Sequence, residues 1–205
     1  MHSAFLALCF FLAQTAVFSQ PNSPISVNKF QKCNFFSGPV KAEWLPDGRQ
    51  MKILERFTYT DPSCVQWIAP VGSIVDGASI PQVAWSFMGG PFEGKYRDAS
   101  VIHDVACVQK SRPWQDVHLA FYNAMLASGV EDFRAKVMYG AVYHFGPHWP
   151  PPSSAAHIPS VLDFSRPESK SEFDQLESQI SIRQNSARGA MSLEEIRTFN
   201  FKTGR

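Results

Sequence analysis

The residues best suited to chemistry are an adjacent histidine and aspartate, His103-Asp104, and a second aspartate, Asp116. The pattern predicts one helix over residues 95–109, a turn at 110–112 and a second helix that starts at Pro113 and returns antiparallel to the first. At a rise of about 1.5 Å per residue, His103 lies roughly 10 Å before the turn and Asp116 roughly 6 Å after it. The two side chains are therefore predicted to meet across the helix pair.

Such a pair has a defined chemistry. A carboxylate that accepts a hydrogen bond from one ring nitrogen fixes the imidazole tautomer and leaves the other nitrogen able to act as a base. We therefore expect His103 as general base and Asp116 as its orienting partner. Asp104, about 100° around the helix, would be a second acid or a metal ligand, with Ca²⁺ as the cation it could hold. The alternative is purely structural, because such pairs also satisfy buried imidazoles.

Two loops could contribute to the same site. Asp76 and Ser79 lie in a turn, Asp76-Gly77-Ala78-Ser79-Ile80-Pro81, where Asp76 could reach the cleft. Ser79 could serve as a nucleophile or as a helix cap, although no nucleophile-elbow motif surrounds it. Gly89 and Gly90 lie before the His103 helix, and their carbonyls could bind Ca²⁺ or their amides an oxyanion. The alternative for this second segment is a plain loop.

The elements that must position these residues change from strands to helices along the chain. Three extended segments at 40–45, 51–59 and 65–69 are separated by Pro- and Gly-containing turns. A short helix through Trp85 and Phe87 then precedes helices predicted over residues 95–109, 113–128 and 131–145. The fold class is therefore α+β, with a small antiparallel β-meander followed by three or four helices that include the antiparallel His-Asp pair.

The chain divides into four regions by composition. Residues 1–19 resemble a signal peptide, so we expect a secreted or periplasmic protein. Residues 20–38 read as a linker and 39–149 as the globular domain. Residues 150–205 are Pro-rich at the start and charged, which favours a largely disordered tail. Within this tail, residues 172–180 and 192–198 could form short helices, and Ser192 with Glu195 fits a capping box for the second.

Charge and hydropathy exclude two classes of partner. The formal net charge is +1 and no Lys/Arg-rich run is present, so nucleic-acid binding is not expected. No second long apolar run follows the signal segment, so stable membrane insertion after its cleavage is not expected.

The cysteines and two late histidines suggest a disulfide and argue against zinc. Among the three cysteines beyond the signal segment, Cys33–Cys64 is the favoured disulfide, because Cys107 falls in a helix predicted to be buried. The sequence contains no Cys-x-x-Cys pair, so a structural zinc site is not expected. His144 and His148 have a spacing that can bind zinc on a helix, but Gly146-Pro147 breaks the helix between them.

The combined motifs resemble the domain of unknown function 1353 family of bacterial and phage proteins. They are DGASIP, a Trp, GPFEGKYRDASVIHD, D-x₄-F-x₃-M-x₃-GV and MYGAVYHFG, over about residues 52–149. The resemblance implies a fold unit and a bacterial or phage source, and it implies no activity. Family members usually carry an aromatic residue four positions after the histidine, where this chain has Cys107.

A looser likeness concerns the site alone. The order Gly89-Gly90, His103-Asp104, Asp116 is similar to that of secreted phospholipase A2 enzymes, in which a histidine activates water and its neighbouring aspartate binds Ca²⁺. The Cys-rich calcium loop and the disulfides of that family are absent, and the second aspartate comes earlier.

Two functional hypotheses follow. The first is a hydrolase that uses the His103 dyad on an ester or amide of lipid or cell wall. The second is a non-enzymatic envelope- or virion-associated binding module with a structural His-Asp pair.

Overall fold

The computed structural model describes residues 33–77, 79–90, 92–150 and 169–202. The predicted signal peptide and most of the predicted linker lie outside these residues. The described chain forms an α+β fold, as predicted, with short strands first and helices after them.

The strands form two small antiparallel sheets instead of one meander. One sheet has the order β1-β4-β5 and the other the order β2-β3-β6. The strands are β1 Phe35–Phe36, β2 Ala42–Trp44, β3 Met51–Ile53, β4 Phe57–Thr60, β5 Gln66–Ala69 and β6 Ile74–Val75. The first strand falls inside the region predicted as a linker.

The predicted strand over residues 51–59 divides into β3 and β4, and the two halves join different sheets. Each half keeps the alternation of a half-buried strand, with Met51 and Ile53 buried in β3 and Phe57 and Tyr59 buried in β4. The three residues between them let the chain change sheet. The segment Ile74–Val75, predicted as part of a turn, pairs with β3 as β6.

The helices follow the predicted order. They are α1 Gln82–Met88, α2 Arg97–Gln109, α3 Trp114–Ala127 and α4 Asp132–Phe145, with a single 3₁₀ turn, Gly94–Tyr96, before α2. Pro81 occupies the N-cap of α1, so Ser79 is not its capping residue. Lys110 adopts a left-handed conformation at the end of α2 and lets the chain reverse into α3.

Two further helices lie in the region predicted to be a largely disordered tail. They are α5 Lys170–Gln184 and α6 Leu193–Arg197. Phe173, Leu176 and Ile180 recur at helical spacing on α5 and are buried in the core. Ser192 and Glu195 form the predicted capping box at the start of α6. The folded unit therefore extends beyond residue 149, and the tail prediction does not hold for residues 169–202.

A glycine on α4 explains how close the added helices come. A Cβ on Gly140 would lie 2.6 Å from a methyl carbon of Leu176 and 3.2 Å from one of Ile196. A larger residue at this position would force the Leu176 side chain to move and would crowd that of Ile196. The close approach contributes to one continuous core shared by α4, α5 and α6.

Two other features bear on function. Cys33 and Cys64 form the expected disulfide, while Cys107 lies buried in α2. Within the described residues, no helix combines the length and apolar character needed to span a bilayer.

Candidate functional site

The two residues of the His103-Asp104 pair serve different parts of the molecule. Both lie in the middle of α2 and both are buried, at 1% and 4% exposure. Because consecutive helical residues diverge by about 100°, their side chains leave α2 in different directions. His103 turns toward α3, and Asp104 turns toward the loop that follows β6.

The partner of His103 on α3 is His118, not Asp116. Nε2 of His103 lies 2.9 Å from Nδ1 of His118, a hydrogen bond in which one ring donates and the other accepts. Asp116 is exposed in the first turn of α3. Two residues along a helix correspond to about 200° of rotation, so the face that presents His118 to α2 turns Asp116 away. The expected His103–Asp116 dyad is therefore not formed.

A thiol completes this buried group, which we call the imidazole–thiol cluster: His103, Cys107 and His118. Sγ of Cys107 lies 3.6 Å from Nε2 of His103, one helical turn earlier on α2. The ring of Phe121 stacks on His103 with centroids 4.5 Å apart. All three members of the cluster are buried, which separates them from solvent.

Burial keeps both imidazoles neutral. Loss of hydration lowers the pKa of His103 from 6.5 to about 3. Burial also holds the pKa of His118 well below its usual value, and the positive charges of His103 and His148 would lower it further. The carbonyl of Pro147 opposes this shift in His118. A base with such a low pKa, cut off from water, is poorly matched to proton abstraction near neutral pH.

Asp104 holds the loop after β6 in place. Its Oδ2 accepts the backbone N–H groups of Asp76 and Gly77 at 2.8 and 2.9 Å, and its Oδ1 accepts that of Ser79 at 3.3 Å. Hydrogen bonds from such donors offset the free-energy cost of removing a carboxylate from water. The expected role of Asp104 as a Ca²⁺ ligand is therefore replaced by a positioning role, because both oxygens already face N–H groups.

The Gly89-Gly90 loop is also held by the protein itself. The phenol of Tyr96 donates to the carbonyl of Gly89 at 2.9 Å and contacts that of Gly90 as well. Burial, with a smaller contribution from the nearby Glu93 charge, raises the pKa of Tyr96 to about 12, so this phenol keeps its proton. These two carbonyls, which we expected could bind Ca²⁺, thus accept an internal donor.

An open cleft lies beside these two loops. It has a volume of about 620 Å³, within the usual size of a small-ligand site. Residues from three stretches of the chain line it: Trp44, Gly48, Arg49, Asp76, Ile80, Gln82, Trp85, Gly90, Phe92 and Glu93. Asp76 and Gly90, both expected at a site, thus belong to the cleft, whereas His103, Asp104 and Asp116 are not among its lining residues.

The cleft combines aromatic surface with charge. Trp44 is 59% exposed and packs edge-on against Phe92, with ring centroids 6.2 Å apart. Nε1 of Trp85 donates to the carbonyl of Ile80, which fixes that indole. Nη2 of Arg49 lies 3.6 Å from Oδ2 of Asp76. Flat apolar rings beside a cation and a carboxylate suit a ligand that has both apolar faces and polar edges.

Glu93 adds a second carboxylate at the cleft. Its side chain lies over the glycine loop, where Oε2 comes within 2.6 Å of the position that a Cβ on Gly89 would occupy. Gly89 has φ of +93°, so both its backbone conformation and this contact favour glycine. The loop therefore leaves room for the Glu93 carboxylate at the rim of the cleft.

Sequence reasoning missed four of these residues: His118, Trp44, Arg49 and Trp85. His118 carries a signal that could have been used, since it falls on the buried face of α3 together with Phe121. The cleft residues carry no motif, because they come from turns and strand ends that are distant in sequence. His144 and His148 hydrogen-bond separately to the carbonyls of Ile196 and Tyr143.

The family resemblance is confirmed. Residues 51–142 match the family model described as "Protein of unknown function (DUF1353)". This segment contains β3 to β6 and α1, α2 and α3, together with most of α4. It therefore includes the imidazole–thiol cluster and most of the cleft, while Trp44 and Arg49 lie just before it.

Two relatives come from Sinorhizobium fredii. "Uncharacterized protein y4jT" is 48% identical over 116 residues, which cover 56% of this chain and 34% of the relative. "Uncharacterized protein y4iH" is 39% identical over 142 residues, which cover 67% of this chain and 59% of the relative. The chain thus spans about a third of one relative and under two thirds of the other. No solved structure matches it.

Proposed function

We propose that this protein is a binding module that holds a sugar-containing component of the cell envelope in the cleft lined by Trp44 and Trp85. The observation that carries the proposal is the pairing of exposed aromatic surface with Arg49, Asp76 and Glu93 in one open cavity. Aromatic rings stack on the apolar C–H face of a pyranose, while charged groups bind its hydroxyls and substituents.

The charges favour a zwitterionic ligand over a neutral sugar. Arg49 can pair with a carboxylate, and Asp76 and Glu93 can accept hydrogen bonds from hydroxyl, amide or ammonium groups. A cell-wall glycan with attached peptide offers all of these. The signal peptide expected at residues 1–19 would deliver the protein to the compartment where such a ligand lies, and export is part of the proposal.

Calorimetric titration with soluble muropeptides tests the proposal. Trp44→Ala should weaken binding at least about tenfold, because it removes the most exposed stacking surface of the cleft. Val71→Ala is the matched control, since Val71 is 62% exposed and does not line the cleft. Absence of binding by the unaltered protein, or equal affinity of the two variants, would contradict the proposal.

A hydrolase that acts on an ester or amide of lipid or cell wall is a second candidate, supported by the two carboxylates at the cleft. In that case Asp76 and Glu93 would supply acid–base chemistry in place of the His103–Asp116 dyad. Product release measured by chromatography separates the candidates. Turnover that is lost in Glu93→Gln, while binding persists, supports an enzyme, whereas binding without turnover supports the module.

A further inference from the structure

The imidazole–thiol cluster has the composition of a metal site. His103, Cys107 and His118 each offer one ligand atom, and these atoms lie within 4.8 Å of one another. We propose that the cluster binds one copper(I) ion, held by two imidazole nitrogens and the Cys107 thiolate. Sulfur and imidazole are ligands that a soft ion prefers over carboxylate or water.

The spacing of the ligand atoms fits a small ion after a minor adjustment. Metal–nitrogen and metal–sulfur bonds of about 2.0 and 2.3 Å place neighbouring ligand atoms about 3.3–3.7 Å apart. Sγ of Cys107 already lies 3.6 Å from Nε2 of His103. The 2.9 Å separation of the two imidazole nitrogens must open by about half an ångström, as the ion takes the place of the shared proton and that proton moves to the other nitrogen of its own ring.

A buried ring atom with no good hydrogen bond points to the same role. Among the described residues, Nε2 of His118 is a buried polar side-chain atom that makes no hydrogen bond of good geometry, although the carbonyl of Pro147 lies near enough to act on the ring. Such an atom is costly unless it is given a hydrogen bond. When Nδ1 coordinates the ion, Nε2 carries the ring proton and donates it to the nearby carbonyl of Pro147.

A neutral imidazole coordinates an ion through the lone pair of its unprotonated nitrogen and gives up no proton in doing so. Binding then displaces only the thiol proton of Cys107, so one proton is released to solvent for each ion bound. The overall change is Cys–SH plus Cu⁺ to Cys–S–Cu plus H⁺.

Charge selects copper(I) over zinc. One thiolate neutralises one Cu⁺, whereas Zn²⁺ would leave a net positive charge in a site surrounded by Phe121, Trp114 and Trp149. The carboxylate next in sequence, Asp104, already accepts three backbone N–H groups. Burying an uncompensated charge is costly, so the neutral complex is favoured. Three ligands also suffice for copper(I), while zinc takes four.

Competition against a chromophoric copper(I) chelator, with untagged full-length protein and ascorbate as reductant, tests the site. We expect one Cu⁺ per chain. Cys107→Ser should weaken binding at least about 100-fold, because it removes the anionic ligand. Val108→Ala is the control on the same helix, since Val108 is 74% exposed and offers no ligand atom, and this variant should bind as the unaltered protein does. Equal affinity of Cys107→Ser and the unaltered protein, or zinc binding without copper binding, would overturn the proposal.

X-ray absorption of the copper-loaded unaltered protein keeps the test independent of any variant's folding. The proposal requires one sulfur and two nitrogen neighbours around the ion. Oxygen or nitrogen neighbours without sulfur would overturn it. The outcome is separate from muropeptide binding, since the cluster and the cleft share no residue.

Discussion

The cleft and the imidazole–thiol cluster place polar groups in contrasting environments, one open to solvent and the other buried. The cleft gathers charged and aromatic side chains from turns and strand ends, and it stays open to solvent. The cluster gathers neutral groups from the middle of two helices, and it is closed. Chemistry that needs a substrate to enter therefore belongs to the cleft, while the cluster suits a small ion that the protein encloses.

Two consecutive residues connect these regions. His103 belongs to the cluster, and Asp104 holds the backbone of the loop that brings Asp76 to the cleft. A motif that reads as one catalytic unit is thus divided by the helical rotation of about 100° between neighbours. The division predicts that changes at the two positions have different consequences.

The largest expected effect is on the loop. Asp104→Ala removes the acceptor of three backbone N–H groups and should lower the free energy of unfolding by at least about 3 kcal/mol. Affinity for the cleft ligand should fall with it, since Asp76 loses its support. Urea denaturation and calorimetric titration measure the two quantities.

Asp116→Ala is the matched control for this change. Asp116 is exposed, so its loss should alter the free energy of unfolding by less than about 0.5 kcal/mol. Similar destabilisation by the two variants would mean that Asp116 has a buried partner after all, and the division between the regions would have to be redrawn.

The pH dependence of stability should report the cluster. The pKa of His103 falls from 6.5 to about 3 on folding, so below pH 6.5 the unfolded state binds a proton that the folded state does not. Stability is therefore complete above pH 6.5 and is lost as the pH falls toward 3. Each buried imidazole contributes up to about 1.4 kcal/mol per pH unit.

His118→Gln isolates this contribution. Denaturation at several pH values between 6.5 and 5 should show a smaller slope for the variant than for the unaltered protein, because one buried imidazole is gone. Val71→Ala, an exposed apolar change that removes no titratable group, should leave the slope unchanged. Equal slopes for His118→Gln and the unaltered protein would show that the cluster is hydrated.

The smallest effect on stability is expected in the cleft. Arg49→Gln breaks a 3.6 Å ion pair between the exposed Arg49 and the half-buried Asp76 and should change the free energy of unfolding by less than about 0.5 kcal/mol. Affinity for an anionic ligand should nonetheless fall, and the remaining affinity should depend less on salt. A large loss of stability would show instead that the pair is structural.

Much of the helical part of the fold is predictable from the sequence. The helices α1 to α4 follow from apolar periodicity with glycine and proline at the helix ends. The Cys33–Cys64 disulfide follows from the expected burial of Cys107. The assignment of strands to two separate sheets is not predictable in this way, because tertiary contacts that leave no local sequence pattern determine which strands pair.

The site was only partly predictable. Distance along the helices correctly brought His103 against α3, but it ignored rotation about the axis, and rotation selects His118 over Asp116. The helices beyond residue 169 did carry a signal in the spacing of Phe173, Leu176 and Ile180. The overall polarity of the region nonetheless favoured a disordered tail over packed helices, because a charged helix needs only a narrow apolar face to pack.

The central claim is that the ligand binds in the cleft and not at the imidazole–thiol cluster. The NMR signals of the indole N–H groups test this claim most directly. Trp44 and Trp85 line the cleft, and Trp114 and Trp149 lie beside His118. Trp67, whose Nε1 donates to Oδ2 of Asp61, serves as the reference. When the nitrogen-15-labelled protein is titrated with muropeptide, we expect the indole signals of Trp44 and Trp85 to shift while those of Trp114 and Trp149 do not change. Shifts confined to Trp114 and Trp149 would contradict it, since the ligand would then reach the cluster and not the cleft.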